Sequence, residues 1–546
     1  MPPLHGLTLA WENLNETLNR LNKQPVTEAW VIEWGEALTS FRDLYVSAYW
    51  DFSRNTKEVE ANQRLDYITQ ELNPKFKVLN QELTRRVTSW QPSQEPFARI
   101  VESQNRKLQF GVPETIGIYK QLDALIQKYE AALSETVVDI DGGMTSEEAR
   151  HLLHQERDRT RRQVIWEHSQ HAKLKNALAI NAWFTEMVAL RQKVATICGF
   201  DNFVAYSWAK KERTYPPASA LELIGTVRDV FSPVIKQANV RKAQDLKVPH
   251  LRPWDDVEIV DNGVSDPFTA HDYSRILVTA YDQIDPTLGQ AVKDMIASGR
   301  ADLMTRSYKV PGAYSTVQGE GNKGLVFTNG VGDVASLRVM LHETAHALHQ
   351  EASGRNTLYF ERFASFEIME FVAYSLQFLT IEVLGTTGVL TPPEQRYLKT
   401  YAGRTLLDVF AMYDTIERFQ HWLFSRNGLT KVEDMDLAWL DMQQPLGVDW
   451  SGYEEIRKKG WQFPHIILDP FYSIEYIIAY IGMLAFIRRW RDDPARSVSS
   501  LLELLKYGSS ISVEESFAMV EIKFPFSHVE IVAARATFEN EFLQKQ

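Results

Sequence analysis

The 546-residue chain reads as a mainly α-helical protein with a small β-sheet, on three observations. Several stretches have few or no Gly and Pro and repeat apolar residues every three to four positions, as an amphipathic helix requires. Segments of β character are short, chiefly Val137-Val138-Asp139-Ile140 and Leu325-Val326-Phe327-Thr328. At 44% hydrophobic and 11% aromatic residues, the chain has the apolar material for a sizeable core.

Taken in order, residues from about 26 to 128 predict successive helices. Over 27–52, Trp30, Trp34, Leu38, Phe41 and Leu44 form an apolar stripe, and Asn73-Pro74 and Gln91-Pro92 predict punctuation of the two helices that follow. Thr145-Ser146-Glu147-Glu148 is a capping box that opens a long charged helix predicted over about 146–176. His151, His154, His168 and His171 lie along it, and their Arg- and Glu-rich surroundings predict a solvated face rather than a metal site. A helix reaching Cys198, a loop over 213–217, a helix over 218–246 and a proline-containing loop over 247–254 follow. The basic cluster over 236–247 reads as a surface helix face. The glycine-rich stretch 318–324 lacks the G-K-[ST] ending of a phosphate loop and predicts a mobile loop over a cleft. The Leu325–Thr328 segment predicts a sheet edge able to pair with an extended peptide. A helical region over 1–175 and a catalytic region over 176–546 are the expected domains.

Composition narrows the partners. A formal charge of −12 gives no attraction to nucleic acid or to an anionic membrane. One cysteine, Cys198, allows no internal disulfide and no cysteine metal site, and fits a reducing compartment. The start Met1-Pro2-Pro3-Leu4-His5 predicts no signal peptide, and the apolar run Tyr476–Ile487 is too short to span a bilayer. A cytoplasmic protein is expected.

The chemistry is carried by His342-Glu343-Thr344-Ala345-His346, an H-E-x-x-H motif inside a stretch, Val334–Gln350, without Gly or Pro. Asp333 stands before it as a candidate N-cap. On a helix, His342 and His346 lie on one face about 6 Å apart along the axis, a spacing at which two imidazoles converge on one Zn²⁺. Glu343 then projects beside the ion, where the general base for the attacking water belongs. With 13 His in the chain, chance supplies about 0.02 such matches. The sequence predicts a zinc hydrolase with one Zn²⁺ per chain.

A catalytic zinc takes a third protein ligand and leaves a position open. His349 lies on the same helix, and three ligands from one straight helix rarely surround one ion. The longer H-E-x-x-H-x-x-G-x-x-H pattern fails, because position 349 is His and position 352 is Ala. A second helix predicted over 361–384, closed by Gly385, places Glu367 and Glu370 on one face among Phe366, Ile368, Met369, Phe371 and Val372. Two carboxylates in apolar company need a cation. One would bind the metal and the other would hold a ligand imidazole by a hydrogen bond; spacing does not say which.

These segments resemble the thimet oligopeptidase and oligoendopeptidase F zinc peptidases. The resemblance rests on His342–His346, on Glu367-Ile368-Met369-Glu370-Phe371-Val372-Ala373, and on His465-Ile466-Ile467-Leu468-Asp469-Pro470-Phe471-Tyr472-Ser473-Ile474-Glu475-Tyr476. It implies that Glu370 is the third metal ligand and Glu367 the imidazole-holding carboxylate. It implies that His465 and Tyr476 assist catalysis and that Tyr472, with Tyr314 and Phe327 from the familial-looking Gly312-Ala313-Tyr314 and Val326-Phe327-Thr328-Asn329, binds substrate. The implied fold is a two-lobed helical zincin-like metallopeptidase with a small β-sheet and a deep channel for short unstructured peptides. The implied activity is internal cleavage of such peptides, with a zinc carboxypeptidase or an inactive peptide-binding protein as alternatives. The chain departs at Ala345, where this family commonly has Gly.

Overall fold

The computed structural model describes residues 5–110, 112–134, 136–257, 268–306, 308–310, 312–426, 428 and 430–543; the Met1–Leu4 start lies outside them. Helices dominate, with one three-stranded sheet and one two-stranded ribbon among the described residues. Two compact units divide the chain, each built from three sequence segments, and the expected boundary near residue 175 falls within the second.

The first unit comprises residues 1–111, 263–399 and 482–525. Its N-terminal stripe forms the Glu28–Arg54 helix, capped by the Thr27 hydroxyl, which accepts from the Trp30 N–H at 3.2 Å. Trp30, Trp34, Leu38 and Phe41 bury against Trp11, Phe76 and Leu83. Asn73-Pro74 does not break the chain. Helix Val59–Tyr67 runs through a π turn, Ile68–Leu72, into Asn73–Thr88. Proline is tolerated there because it occupies the first turn, where its missing N–H and fixed φ cost little.

The three-stranded sheet of this unit has Lys323–Gly330 at its centre, parallel to Ala301–Met304 and antiparallel to Tyr314–Gln318. The expected edge segment Leu325–Thr328 is therefore central and buried, and Tyr314–Gln318 is an edge. Nor is the 318–324 stretch a loop over a cleft. Gln318 pairs with Lys323 to close a tight hairpin, and positive φ at Gly319, Gly321 and Asn322 reverses the chain. Asn322 then fixes the turn, accepting from Arg42 at 2.6 Å and donating to the Gly354 carbonyl at 2.7 Å.

Helix Phe366–Thr387 ends three residues later than predicted, at Gly388 with φ of 68°, the left-handed position that glycine favours. Gly385 lies inside the helix, where a Cβ would collide with the Gln395 side chain. This helix is long and apolar enough to cross a membrane, but 78% of its apolar window is buried within the protein. It is a core helix carrying Glu367 and Glu370.

The second unit comprises residues 112–262, 400–481 and 526–546. The single helix predicted over 146–176 is two, Ser146–Gln155 and Arg159–Leu174. The Thr145–Glu148 capping box opens the first, and Asp158 caps the second by accepting from the Arg161 N–H at 2.8 Å. The charged run is not wholly a solvated face. Arg159 and Arg162 both donate to Asp255, which is fully buried with Arg162. Burial opposes ionisation of Asp255, but hydrogen bonds from Arg159, the Arg252 N–H and Arg162 outweigh it and lower its pKa.

A carboxylate with a depressed folded-state pKa stabilises the fold above its unfolded value and loses that contribution as pH falls. Asp255→Ala should therefore cost about 3–5 kcal/mol at neutral pH. Denaturant midpoints should show the deficit, and it should shrink as pH drops below about 4. An unchanged midpoint at pH 7 would mean that the arginines find equal partners elsewhere.

Candidate active site

Helix Val334–Ser353 carries the H-E-x-x-H motif. Asp333 caps it as expected, accepting from the Ser336 N–H at 2.7 Å. The Tyr281 hydroxyl donates to the Leu341 carbonyl at 2.6 Å, fixing the turn before the motif. The central strand lies close against this helix at Gly324, where a Cβ would come within 3.0–3.1 Å of Ala347. Ala345, in place of the familial glycine, is fully buried in the helix packing.

One turn apart, His342 and His346 bring their Nε2 atoms to 3.1 Å. Glu370, from helix Phe366–Thr387, completes a triangle. Its Oε2 is 3.4 Å from His342 Nε2, and its Oε1 is 3.7 Å from His346 Nε2. Four donors at 2.0–2.2 Å around a tetrahedral zinc stand about 3.3–3.6 Å apart, so the triangle has the dimensions of one face of such a site. This is the one group of three or more metal-type donors that converges among the described residues. The chemistry also fits. Glu370 Oε2 is buried with no hydrogen-bond partner, and two imidazole nitrogens facing each other must share a proton or a cation.

Electrostatics agree with the ligand assignment. Burial, then the charge of Arg338, lowers the His342 pKa to about 3. Burial, with His342 and His349 adding to it and Glu370 opposing, lowers that of His346 to about 3. Both imidazoles are thus neutral at pH 7 and offer lone pairs, the form a metal needs. Burial also raises the pKa of Glu370. Glu343 is pushed up to about 8, by burial first and by the Glu370 carboxylate second. A cation at the triangle would relieve both carboxylates.

Glu367 lies one turn from Glu370, 4% exposed but outside the donor triangle. The Nδ1 atoms of both imidazoles are buried without a hydrogen-bond partner, so the expected bond from Glu367 is not among their contacts. Instead Gln377, seven residues beyond Glu370, interacts with His342, and the Tyr374 ring lies 4.7 Å from the His342 ring. These follow Glu370 at i+4 and i+7, a helix-face spacing that could have identified them. His349 is directed elsewhere, with its Nε2 3.3 Å from the Tyr507 carbonyl.

The sheet corrects two substrate-binding expectations. Phe327 is fully buried, packed against Trp50 and stacked on Tyr314 at 4.9 Å. Tyr314 pairs with Phe327 across the strands and packs against Tyr49 of helix Glu28–Arg54, so neither ring faces the motif helix. Strand alternation puts Ser315 on that face instead. Ser315 accepts from Gln350 at 3.5 Å, and its hydroxyl favours the ionised form of Glu343, against the burial that raises its pKa.

In the second unit, His465, Tyr472 and Tyr476 do converge. The His465 and Tyr476 rings stack at 6.2 Å, and Tyr472 stands edge-on to both, at 5.8 and 5.3 Å. Tyr413 joins them, 5.7 Å from His465 and 5.4 Å from Tyr476; no local pattern in the sequence marked it. Tyr480 is core, packed edge-on to Phe410.

Comparison with known proteins gives one family and one fold. The model of peptidase family M3 matches residues 152–532. The structure of PZ peptidase A with an inhibitor superposes with a TM-score of 0.86 at 19% identity, over 98% of this chain and 96% of the other. A protein assigned as oligoendopeptidase F from Bacillus anthracis gives 0.81 at 19% identity, covering 98% and 95%. Oligoendopeptidase F from Enterococcus faecium gives 0.66 at 12% identity, covering 99% and 98%. No curated protein sequence matches the chain.

The triangle predicts the outcome of metal titration. After chelation, the wild-type chain should take up about one Zn²⁺, as the single converging donor group implies. Glu370→Ala should weaken uptake by about 100-fold or more, whereas Glu367→Ala should lose no more than about tenfold. Calorimetry with metal analysis would show this; the reverse order would exchange the two glutamates.

Proposed function

Because the chain belongs to peptidase family M3 and is a metallopeptidase, we propose that it is a zinc-dependent oligopeptidase that cuts internal bonds of short unstructured peptides. The observation that carries the proposal is the convergence of His342, His346 and Glu370 into a triangle with 3.1–3.7 Å edges, with the Glu343 carboxylate on the same helix. His342, His346 and Glu370 would hold the ion. When bound, zinc supplies a water acidified to a pKa of about 7 and a Lewis acid for the peptide carbonyl.

The remaining work falls to the chain's own groups. Glu343 takes the proton of the attacking water and passes it to the leaving amine. A cation at the triangle would offset the burial and the Glu370 charge that raise the Glu343 pKa, leaving Glu343 ionised and able to accept that proton. Ser315, on the strand face toward the motif helix, favours the ionised form of Glu343. The edge strand Tyr314–Gln318 offers backbone N–H and C=O groups for an extended peptide to pair with. As the family resemblance implies, Tyr472 binds the substrate, and Tyr476 and His465 donate hydrogen bonds to the oxyanion. One such donor is worth about 3–4 kcal/mol. Peptide turnover in the cytoplasm is the proposed setting; with a single cysteine the fold needs no internal disulfide.

Glu343→Gln should keep its zinc and lose about 10³-fold or more in kcat, since it removes the base and leaves the ligands. Mass spectrometry of a mixed short-peptide pool tests base and specificity together. Internal cleavage by the wild type, absent from Glu343→Gln and abolished by a chelator, is the expected result. Stepwise loss of C-terminal residues would make the chain a carboxypeptidase, and an active Glu343→Gln would remove the assigned base.

A further inference from the structure

The second unit buries a cationic cluster that the proposed mechanism does not use. Arg213 sits in the loop between helices Phe203–Lys210 and Pro217–Asp245, and its side chain is only 1% exposed. Its Nη2 donates both to the Phe471 carbonyl and to the carboxylate of Glu475, itself 2% exposed. The guanidinium lies 4.2 Å over the Trp208 ring, so three surroundings fix its plane.

Both partners belong to the stretch that presents the tyrosines. Phe471 is fully buried with φ of 66°, a left-handed conformation that a bulky residue adopts only when its neighbours impose it. Its N–H donates to Gln420 at 2.8 Å and its C=O accepts from Arg213. Both backbone groups of the turning residue are thus clamped. The next residue is Tyr472. Helix Ser473–Asp492 then starts, with Glu475 and Tyr476 in its first turn. Lys211, two residues before Arg213, holds the upstream side. Its ammonium bonds both oxygens of Asp469 at 3.2 Å and lies 5.3 Å over the Tyr472 ring.

We propose that Arg213 is a positioning residue: by tying the Phe471 carbonyl to the Glu475 carboxylate it sets where Tyr472 and Tyr476 present their hydroxyls. The proposal rests on the substrate-contacting role given above to those tyrosines. One end of a flat guanidinium reaches both acceptors while its face lies on the indole, and the compact ammonium of lysine cannot do both. Lysine at 213 would keep the charge and lose the geometry. The metal ligands belong to the other unit, so metal content gives a control independent of the tyrosines.

The test compares Arg213→Lys, Glu475→Gln, Tyr476→Phe and the Arg213→Lys/Tyr476→Phe double variant, each as the full zinc-loaded chain on one fluorogenic short peptide. Arg213→Lys and Glu475→Gln should retain zinc and lose about 10- to 100-fold in kcat, the penalty of misplacing a reacting group by about 1 Å, with KM within about threefold. Amide hydrogen exchange over 468–476 should accelerate while that over 334–353 does not. The double variant should fall below Tyr476→Phe by clearly less than the factor that Arg213→Lys costs alone, because part of the arginine's effect runs through Tyr476 and the rest through Tyr472. Should Arg213→Lys not fold, Glu475→Gln carries the same comparison, since it keeps the shape and the acceptor and removes the charge. Wild-type kcat in the arginine and glutamate variants beside a slow Tyr476→Phe would overturn the inference and leave the tyrosine's role standing. So would losses that multiply in the double variant. Wild-type kcat in Tyr476→Phe would remove the tyrosine's role and the inference with it.

Discussion

Three buried donors, two imidazole nitrogens and a carboxylate, are held within 3.7 Å of one another, and much of the first unit is arranged around that constraint. No hydrogen bond satisfies the Glu370 Oε2, and burial drives both imidazoles to the neutral form. Such a cluster is costly without a cation and inexpensive with one. The Asp333 cap, the Tyr281 bond to Leu341 and the close approach at Gly324 fix the helix that carries two of the donors. The buried helix Phe366–Thr387 fixes the third, and its apolar length, which resembles a membrane span, is what seats Glu370, with Glu367, in the core.

How far the sequence foretold this depends on how local each feature is. The H-E-x-x-H spacing needs only helical geometry to put two imidazoles together, and it did so. The pair Glu367 and Glu370 was equally visible, but choosing between them depends on how one helix is rotated against another. That rotation is set by packing of residues far apart in sequence, so only the family resemblance chose Glu370. The donor triangle agrees with it. The same resemblance pointed to Tyr314 and Phe327 as substrate contacts, but a familial-looking segment does not say which face of a strand is presented. Alternation along Tyr314–Gln318 turns Ser315, not Tyr314, toward Glu343. The glycines of 318–324 suggested a mobile loop over a cleft; the tight hairpin they form is fixed through Asn322 and its partners Arg42 and Gly354, distant in sequence.

Charge proved the hardest property to interpret locally. Arg159 and Arg162 lie on what looked like a solvated helix face, and both pair with buried Asp255. Arg213 opens what sequence marks only as a loop, and it is one of the most buried cations of the second unit. In each case the partner lies more than 90 residues away, beyond any window in which periodicity or spacing operates. Buried ion pairs are weak sources of net stability but strict geometric constraints. At Phe471 and Glu475 the constraint falls on the backbone that carries Tyr472 and Tyr476.

The most direct measurement of the central assignment is anomalous diffraction at the zinc edge from crystals of the zinc-loaded chain. One peak should lie about 2.0–2.2 Å from His342 Nε2, His346 Nε2 and a Glu370 oxygen. A peak bonded to Glu367 or His349 instead, or no peak at the triangle from a chain that still hydrolyses peptides, would contradict it.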